Sequence, residues 1–240
     1  SYEFESELLE KANLLRNKII SYGITKYNTG IVKEINIETN EKLILVIGQV
    51  EDDASVLLGT NSMTNLKLLK QVKLENPGST IIYKPHPDVS SGNRNGVVSE
   101  EQISLYSDYC TENVDISMLL NIIDEVHTMT SLVGFEALLR GKDVITYGKP
   151  FYAGWGLTQD KCSFRRRDRR LSIDELIAAV LILYPRYIDP KSHVYCDPLK
   201  LVEGLKIKRD SLNRSFLFRH SNEIKVLLSR FLQRMFALFL

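Results

Sequence analysis

Apolar residues recur along this chain in two periods, and the alternation between them predicts the architecture. Residues 5–22 carry Leu8, Leu9, Ala12, Leu15 and Ile19 on one stripe at helical spacing. Lys42 to Gly48 (KLILVIG) is a short, β-branched apolar run of the kind that forms a strand buried on both faces. Leu66, Leu69, Val72 and Leu74 return the chain to helical spacing over 64–75, and Pro77-Gly78 stops it. Thr80–Tyr83 (TIIY) is the next strand. A helical patch over 117–123 then leads into a strand at Glu125–His127, a helix over Ser131–Arg140 and a strand at Asp143–Tyr147 (DVITY). Strands alternating with helices predict an α/β fold, a Rossmann-like parallel sheet with helices on both faces.

Right-handed crossovers would put every strand's C-terminus on one edge, where such sheets bind ligands. The chemically suggestive clusters all follow strands. Gln49 to Ser55 (QVEDDAS) follows the first, Lys84 to Asp88 (KPHPD) the second, Thr128–Ser131 the third and Gly148–Thr158 the fourth. Beyond the sheet, Ser172-x-x-Glu175 is a capping box that opens an apolar helix to about Leu183, which Pro185 ends. The last run, Lys225–Leu240, is mostly apolar with Lys225, Ser229 and Gln233 on one side. It is expected to form an amphipathic helix that packs on a partner or rests on a membrane surface.

Composition narrows the class without choosing a function. The 240 residues are 44% hydrophobic and 25% charged, which is ordinary for a globular chain of this size. A formal net charge of +1 argues against a general nucleic-acid binder. The basic residues Arg165, Arg166, Arg167, Arg169 and Arg170 form one cluster, read as a solvated face unless an anionic sugar or lipid headgroup is its partner. The three cysteines form no CxxC pair, which gives neither a disulfide framework nor a zinc knuckle and suits a reduced, cytoplasmic setting. The first residues carry no signal-peptide pattern, and no apolar run is long enough to span a bilayer.

Several of the edge residues admit a chemical reading beside a plain one. His86 is fenced by Pro85 and Pro87, which hold its backbone extended at a strand end, where the imidazole could donate to a phosphate or move a proton. Glu51, Asp52 and Asp53 are either a solvated turn or the source of a nucleophile or general base. Thr130 and Ser131 cap the following helix, whose first N–H groups and positive dipole end would also suit a phosphate. Glu136 is either an exposed helix residue paired with Arg140 or a carboxylate reaching ribose hydroxyls. Gly154 and Gly156 flank Trp155 and predict a mobile loop rather than a packed strand around Tyr152 and Trp155. No ligand set for a metal is visible.

Taken in order, QVEDDAS, KPHPDV, HTMTSLVGFEALLRGKDVITYGKPFYAGWGLT and the later LILYPRYIDP closely resemble the bacterial capsule polysaccharide β-Kdo transferases of the KpsC type. The resemblance runs from about Lys42 to about Pro190. It implies a metal-independent, retaining transferase of the GT-B type that needs no cofactor. Its donor would be CMP-β-Kdo, and its acceptor a Kdo linker on a phosphatidylglycerol lipid. The setting it implies is the cytoplasmic face of the inner membrane, near other capsule assembly proteins. On the matching motifs, Asp53 is implied as the catalytic carboxylate and His86 as the HP-motif histidine at the CMP phosphate. Thr130 and Ser131 are implied to support that phosphate and Glu136 to contact the ribose. Gln49, Ser55, Lys84, Pro87, His127 and Gly134 fall in the same motifs and are expected around the nucleotide. Segment 1–40 is expected to be helical, 41–210 to be the Rossmann-like CMP-sugar-binding domain and 211–240 to be the amphipathic tail. Such a chain resembles the donor-binding half of a GT-B enzyme. The alternative is a catalytically silent nucleotide-sugar-binding or assembly subunit of capsule biosynthesis and export.

Overall fold

The computed structural model describes residues 2–25, 37–112, 114–189 and 192–214, with side chains to 211. The chain divides into two compact units, one of Ser1–Thr29 with Leu171–Leu240 and one of Gly30–Arg170. The expected segment 41–210 contributes to both: it builds the sheet as far as Arg170, and from Leu171 it groups with the N-terminal helix. The expected helix over 225–240 lies outside the described residues.

The first unit begins with α1 (Ser6–Ser21), which buries Ala12, Leu15 and Ile19, the inner half of the predicted stripe. The second unit is the sheet. In chain order it contains β1 (Leu43–Ile47), α2 (Ala54–Gly59), α3 (Asn65–Glu75), β2 (Thr80–Lys84), α4 (Pro87–Ser90), α5 (Glu100–Tyr106), β3 (Tyr109–Cys110), α6 (Ile116–Ile122), β4 (Glu125–Thr128), α7 (Leu132–Leu139), β5 (Asp143–Thr146) and β6 (Gln159–Asp160). Its six strands are all parallel and stand in the order β3-β2-β1-β4-β5-β6. The chain thus builds outward from β1 to β3, returns, and builds outward on the other side from β4 to β6. The crevice between the carboxyl ends of β1 and β4 is where this reversal occurs, the point at which open α/β sheets bind ligands.

All five residues of β1 are buried, as a central parallel strand requires. Its alternate residues Ile44 and Val46 join Leu68, Leu69 and Val72 of α3, together with Ile81 and Tyr83 of β2 and Ile145 of β5, in one core layer. Leu43, Leu45 and Ile47 alternate to the opposite face. The strands β1, β2, β4 and β5 and the helices α1, α3, α6 and α7 follow the periodicity to within a residue or two. The short elements α2, α4, α5, β3 and β6, two to seven residues each, do not show in it.

The first unit resumes with α8 (Ile173–Ile177), opened by the reciprocal Ser172–Glu175 capping box. It widens into a π-helical stretch over Ala178–Leu183, then continues through the antiparallel pair β7 (Tyr187–Ile188) and β8 (Tyr195–Cys196) to α9 (Pro198–Arg214). Ion pairs tie α1 to this part: Lys11 to Asp197, Arg16 to Asp174 and Lys18 to Glu203.

Candidate functional site at the carboxyl edge of the sheet

The reversal point between β1 and β4 is bridged by side chains. Gln49, 7% exposed and two residues beyond β1, presents Oε1 to the backbone N–H of Thr130 at 2.8 Å and of Ser131 at 3.1 Å, and to Thr128 Oγ1 at 3.2 Å. Its Nε2 donates to Thr130 Oγ1 at 2.8 Å. Thr130 Oγ1 donates in turn to Ser55 Oγ at 3.2 Å, and Ser55 Oγ donates to Asp53 Oδ1 at 2.7 Å. Every proton in this relay points toward Asp53, so the chain ends on a group that, ionised, only accepts. Gln49 is therefore the girder of the site. The N–H groups of Thr130 and Ser131, which a phosphate was expected to use, are already turned to its carbonyl.

The three acidic residues after β1 separate into different jobs. Glu51 Oε1 accepts from the Asn65 N–H at 2.7 Å and so helps start α3. Asp52 is exposed and paired with Arg94, at 3.0 Å from Nη2. Asp53 is the N-cap of α2, with Oδ1 also accepting from the Ser55 N–H at 2.8 Å. Asn65, a residue sequence reasoning missed, secures this turn. It exchanges hydrogen bonds with the backbone of Gln49 and donates to Gly96 O, while only 1% exposed.

His86 is the N-cap of α4, and Pro87 is that helix's first residue. The Asp88 N–H donates to His86 Nδ1 at 3.2 Å, which assigns Nδ1 as acceptor and places the neutral ring's proton on Nε2. Lys84 turns away from this role. Its Nζ donates to the carbonyls of Glu112 at 3.1 Å and Val114 at 2.9 Å, and burial draws its pKa down from the usual lysine value.

Ser131 caps α7 by accepting from the Val133 N–H at 3.2 Å. Gly134 faces the protein: a Cβ there would lie 2.2 Å from the Tyr152 hydroxyl, so glycine is what lets Tyr152 pack on α7. Tyr152 is fully buried and donates to Ser131 O at 2.5 Å. Glu136 is 4% exposed, which disagrees with the plainer of its two readings, an exposed helix residue. Its neighbour Arg140 donates to the Glu136 backbone carbonyl at 2.8 Å.

The Gly148–Thr158 loop, expected to be mobile, is tied at many points. Asp160 accepts from the Gly154 N–H at 2.9 Å and from the hydroxyls of Thr146 and Thr158, both at 2.7 Å. Arg167, expected on a solvated face, instead donates to Pro150 O and Ala153 O, both at 2.6 Å, and lies over the rings of Trp155 and Phe164. Nothing in a run of arginines distinguishes the one that folds inward.

His127 stands apart from the other expected residues. It is 2% exposed within β4, with Nε2 2.7 Å from Glu125 Oε1 and Nδ1 3.0 Å from the Tyr147 hydroxyl. Both ring nitrogens are committed to the interior of the sheet, so the expectation that it lines the nucleotide gives way to a core role. The structure thus gathers Gln49, Asp53, Ser55, Thr130 and Ser131 at the reversal point, with His86 beside them at the end of the adjacent β2.

The family model described as "Capsule polysaccharide biosynthesis protein" matches residues 3–187, most of the chain. The chain belongs to this family. It is 50% identical over 191 residues to the capsule polysaccharide modification protein LipA of Neisseria meningitidis, covering 79% of this chain and 27% of that protein. It is 41% identical to the lipopolysaccharide-processing protein LpsZ of Rhizobium meliloti, covering 75% of this chain and 42% of the relative. Among solved structures it resembles the Thermosulfurimonas dismutans KpsC β-Kdo 2,7 transferase, with a TM-score of 0.75 and 36% identity over 86% of this chain and 64% of that one. The β-Kdo 2,4 transferase structure of the same KpsC gives a TM-score of 0.76 and 34% identity over 85% and 64%. The chain therefore spans about a quarter of LipA and just under two thirds of the KpsC chains.

Proposed function

We propose that this chain is the donor-binding portion of a retaining Kdo glycosyltransferase of the GT-B type that takes CMP-β-Kdo. The supporting observation is the placement of Asp53, Ser55, Thr130 and Ser131 at the β1/β4 reversal, with His86 on the neighbouring strand end. Those are the positions from which a parallel sheet holds a nucleotide. His86 Nε2–H and the Ser131 hydroxyl, whose oxygen accepts from the Val133 N–H and whose proton donates, bind the phosphate, and buried Glu136 receives the ribose hydroxyls. Gln49 and Ser55 hold the site in shape.

In the chemical step the Asp53 carboxylate attacks the anomeric carbon of Kdo. The bond from that carbon to the phosphate oxygen breaks, and CMP departs with the electron pair. The acceptor hydroxyl then attacks the same carbon, releasing the carboxylate and giving its proton to a base. Two inversions leave the configuration retained. The acceptor is a Kdo-bearing glycolipid, which brings the chain to the cytoplasmic surface of the inner membrane among other capsule assembly proteins. Among the described residues no helix is long and apolar enough to cross a membrane.

Donor binding is proposed to need no divalent metal, and among the described residues no three His, Cys, Asp or Glu side chains cluster as a metal site. Calorimetry with CMP in the presence of EDTA tests both parts of the reading. Binding is expected, and strict Mg²⁺ dependence would overturn the metal-free mechanism. No binding under either condition would remove the donor-site reading. A chain that binds CMP yet forms no Kdo adduct and transfers nothing when the rest of the enzyme is supplied is the silent subunit instead.

A further inference from the structure

Arg167 makes a set of contacts that no surface arginine would need. Its Nη1 donates at 2.6 Å to both Pro150 O and Ala153 O, the two carbonyls that bracket Phe151 and Tyr152. Its guanidinium lies 5.6 Å from the centre of the Trp155 ring and 4.7 Å from that of Phe164, so aromatic groups hold the cation as well. The bracketed Tyr152 is fully buried, fills the space left by Gly134, and donates to Ser131 O at 2.5 Å. Ser131 is the N-cap of α7. A continuous path of short hydrogen bonds and packed rings therefore runs from Arg167 to the helix start. It passes through a segment of loop that has no helix or strand of its own to fix it.

We propose that Arg167 is a positioning residue for the nucleotide phosphate, acting through Tyr152 on the Ser131 end of α7. This rests on the donor-site reading above. A planar guanidinium suits the task because it can bridge two carbonyls and stack on rings at once, whereas an ammonium is a point charge that cannot stack in the same way. The role is confined to geometry: Arg167 touches the loop and not the ligand. A small shift at Tyr152 is nevertheless passed to Ser131, since the packed α7–Tyr152 contact has no slack for the loop to move alone.

The test compares CMP with cytidine in the wild type, Arg167→Met, Arg167→Lys and Tyr152→Phe, with Trp155 emission as a direct report because it is the only tryptophan in the chain. Arg167→Met is expected to shift Trp155 emission and to weaken CMP about tenfold, the lower end for one charge-assisted hydrogen bond, while cytidine changes by less than about threefold. Tyr152→Phe should show the same phosphate-selective loss. The double variant should bind CMP no worse than the poorer single variant, because both act along one path. Arg167→Lys should fall between wild type and Met, and it decides the matter if the Met variant does not fold. Equal losses for CMP and cytidine, or losses that multiply in the double variant, would overturn the proposal. So would a folded variant that binds CMP as the wild type does. Failure of the wild type itself to bind CMP would instead remove the donor-site reading, and this inference with it.

Discussion

The Ser55 hydroxyl donates to Asp53 Oδ1 at 2.7 Å while the backbone N–H of the same serine donates to the same oxygen at 2.8 Å. Two donors on one oxygen fix the rotation of the carboxylate. Asp52, one residue earlier, is held outward by Arg94 at 3.0 Å. The two aspartates are therefore not interchangeable, as expected of adjacent residues in an extended segment, which point to opposite sides.

Asp53→Asn is expected to leave CMP affinity nearly unchanged and to lower Kdo transfer, measured with the acceptor-binding part supplied, by at least about a thousandfold. Asp52→Asn should stay within about threefold, as the loss of an exposed ion pair does. Incubation with CMP-Kdo followed by intact-mass measurement should show one added Kdo unit in the wild type and none in Asp53→Asn. An adduct that survives in Asp53→Asn, or a larger defect at Asp52, would move the nucleophile elsewhere.

Gln49 separates fold from ligand binding. Gln49→Ala leaves the N–H groups of Thr130 and Ser131 without their acceptor and should cost about 2–4 kcal/mol in urea denaturation. Gln49→Glu keeps an acceptor for both but loses the donor to Thr130 Oγ1 and places a charge beside the phosphate seat. It should be the more stable of the two variants and still bind CMP less well than cytidine. If the charge has no such selectivity, the phosphate lies away from Gln49.

Gly134→Ala should destabilise the protein by about 1–3 kcal/mol through overpacking, because the new methyl meets the Tyr152 ring and hydroxyl. Tyr152→Phe removes the closest atom and should restore part of the loss in the double variant. Thermal melts of the four proteins give the cycle, and strictly additive effects would show that Tyr152 is not what Gly134 accommodates.

The sheet was legible in the sequence because buried parallel strands are short, β-branched apolar runs, as Leu43–Ile47 shows. Parallel connection then puts QVEDDAS, KPHPD and the Ser131 cap on one edge. Chemical type did not reveal direction. His127 looks like an edge residue because it sits near the end of β4, yet strand alternation turns it inward between Glu125 and Tyr147. Lys84 faces loop carbonyls, and Gln49 faces the backbone of Thr130 and Ser131. Arg167 was hidden among arginines, and the sequence left Glu136 open between exposure and a ligand role because its burial comes from tertiary packing rather than from its neighbours in sequence.

The buried pair Glu125–His127 sets a pH dependence of stability. Burial works to raise the Glu125 pKa, but hydrogen bonds from His127 and Lys42, each 2.7 Å, outweigh it and leave the value lowered. A carboxyl depressed in the folded state stabilises the protein above its unfolded value of about 4.3, and that contribution disappears as pH falls through the folded value. Urea midpoints should therefore begin to drop as pH falls toward about 4.3 and go on dropping below it, through the lowered folded value, and Glu125→Gln should flatten that drop while lowering stability near neutrality. An unchanged slope in Glu125→Gln would assign the acid sensitivity to other carboxylates.

His86 allows its two nitrogens to be tested apart, because asparagine places a polar atom near the position of Nδ1 and glutamine near that of Nε2. Nδ1 accepts from the Asp88 N–H and caps α4, and Nε2–H is the donor proposed for the phosphate. His86→Asn should keep the cap, since asparagine is among the best N-cap residues, and should keep thermal stability near that of the wild type. It should nevertheless lose about 1.5–3 kcal/mol of CMP binding, the worth of a hydrogen bond to a charged group, with little change for cytidine. His86→Gln should do the reverse, weakening the cap by about 1 kcal/mol while its amide retains part of the CMP affinity. Comparable CMP binding in His86→Asn and the wild type would mean that the histidine serves the turn alone. Parallel losses for CMP and cytidine would place its contact on the nucleoside instead of the phosphate.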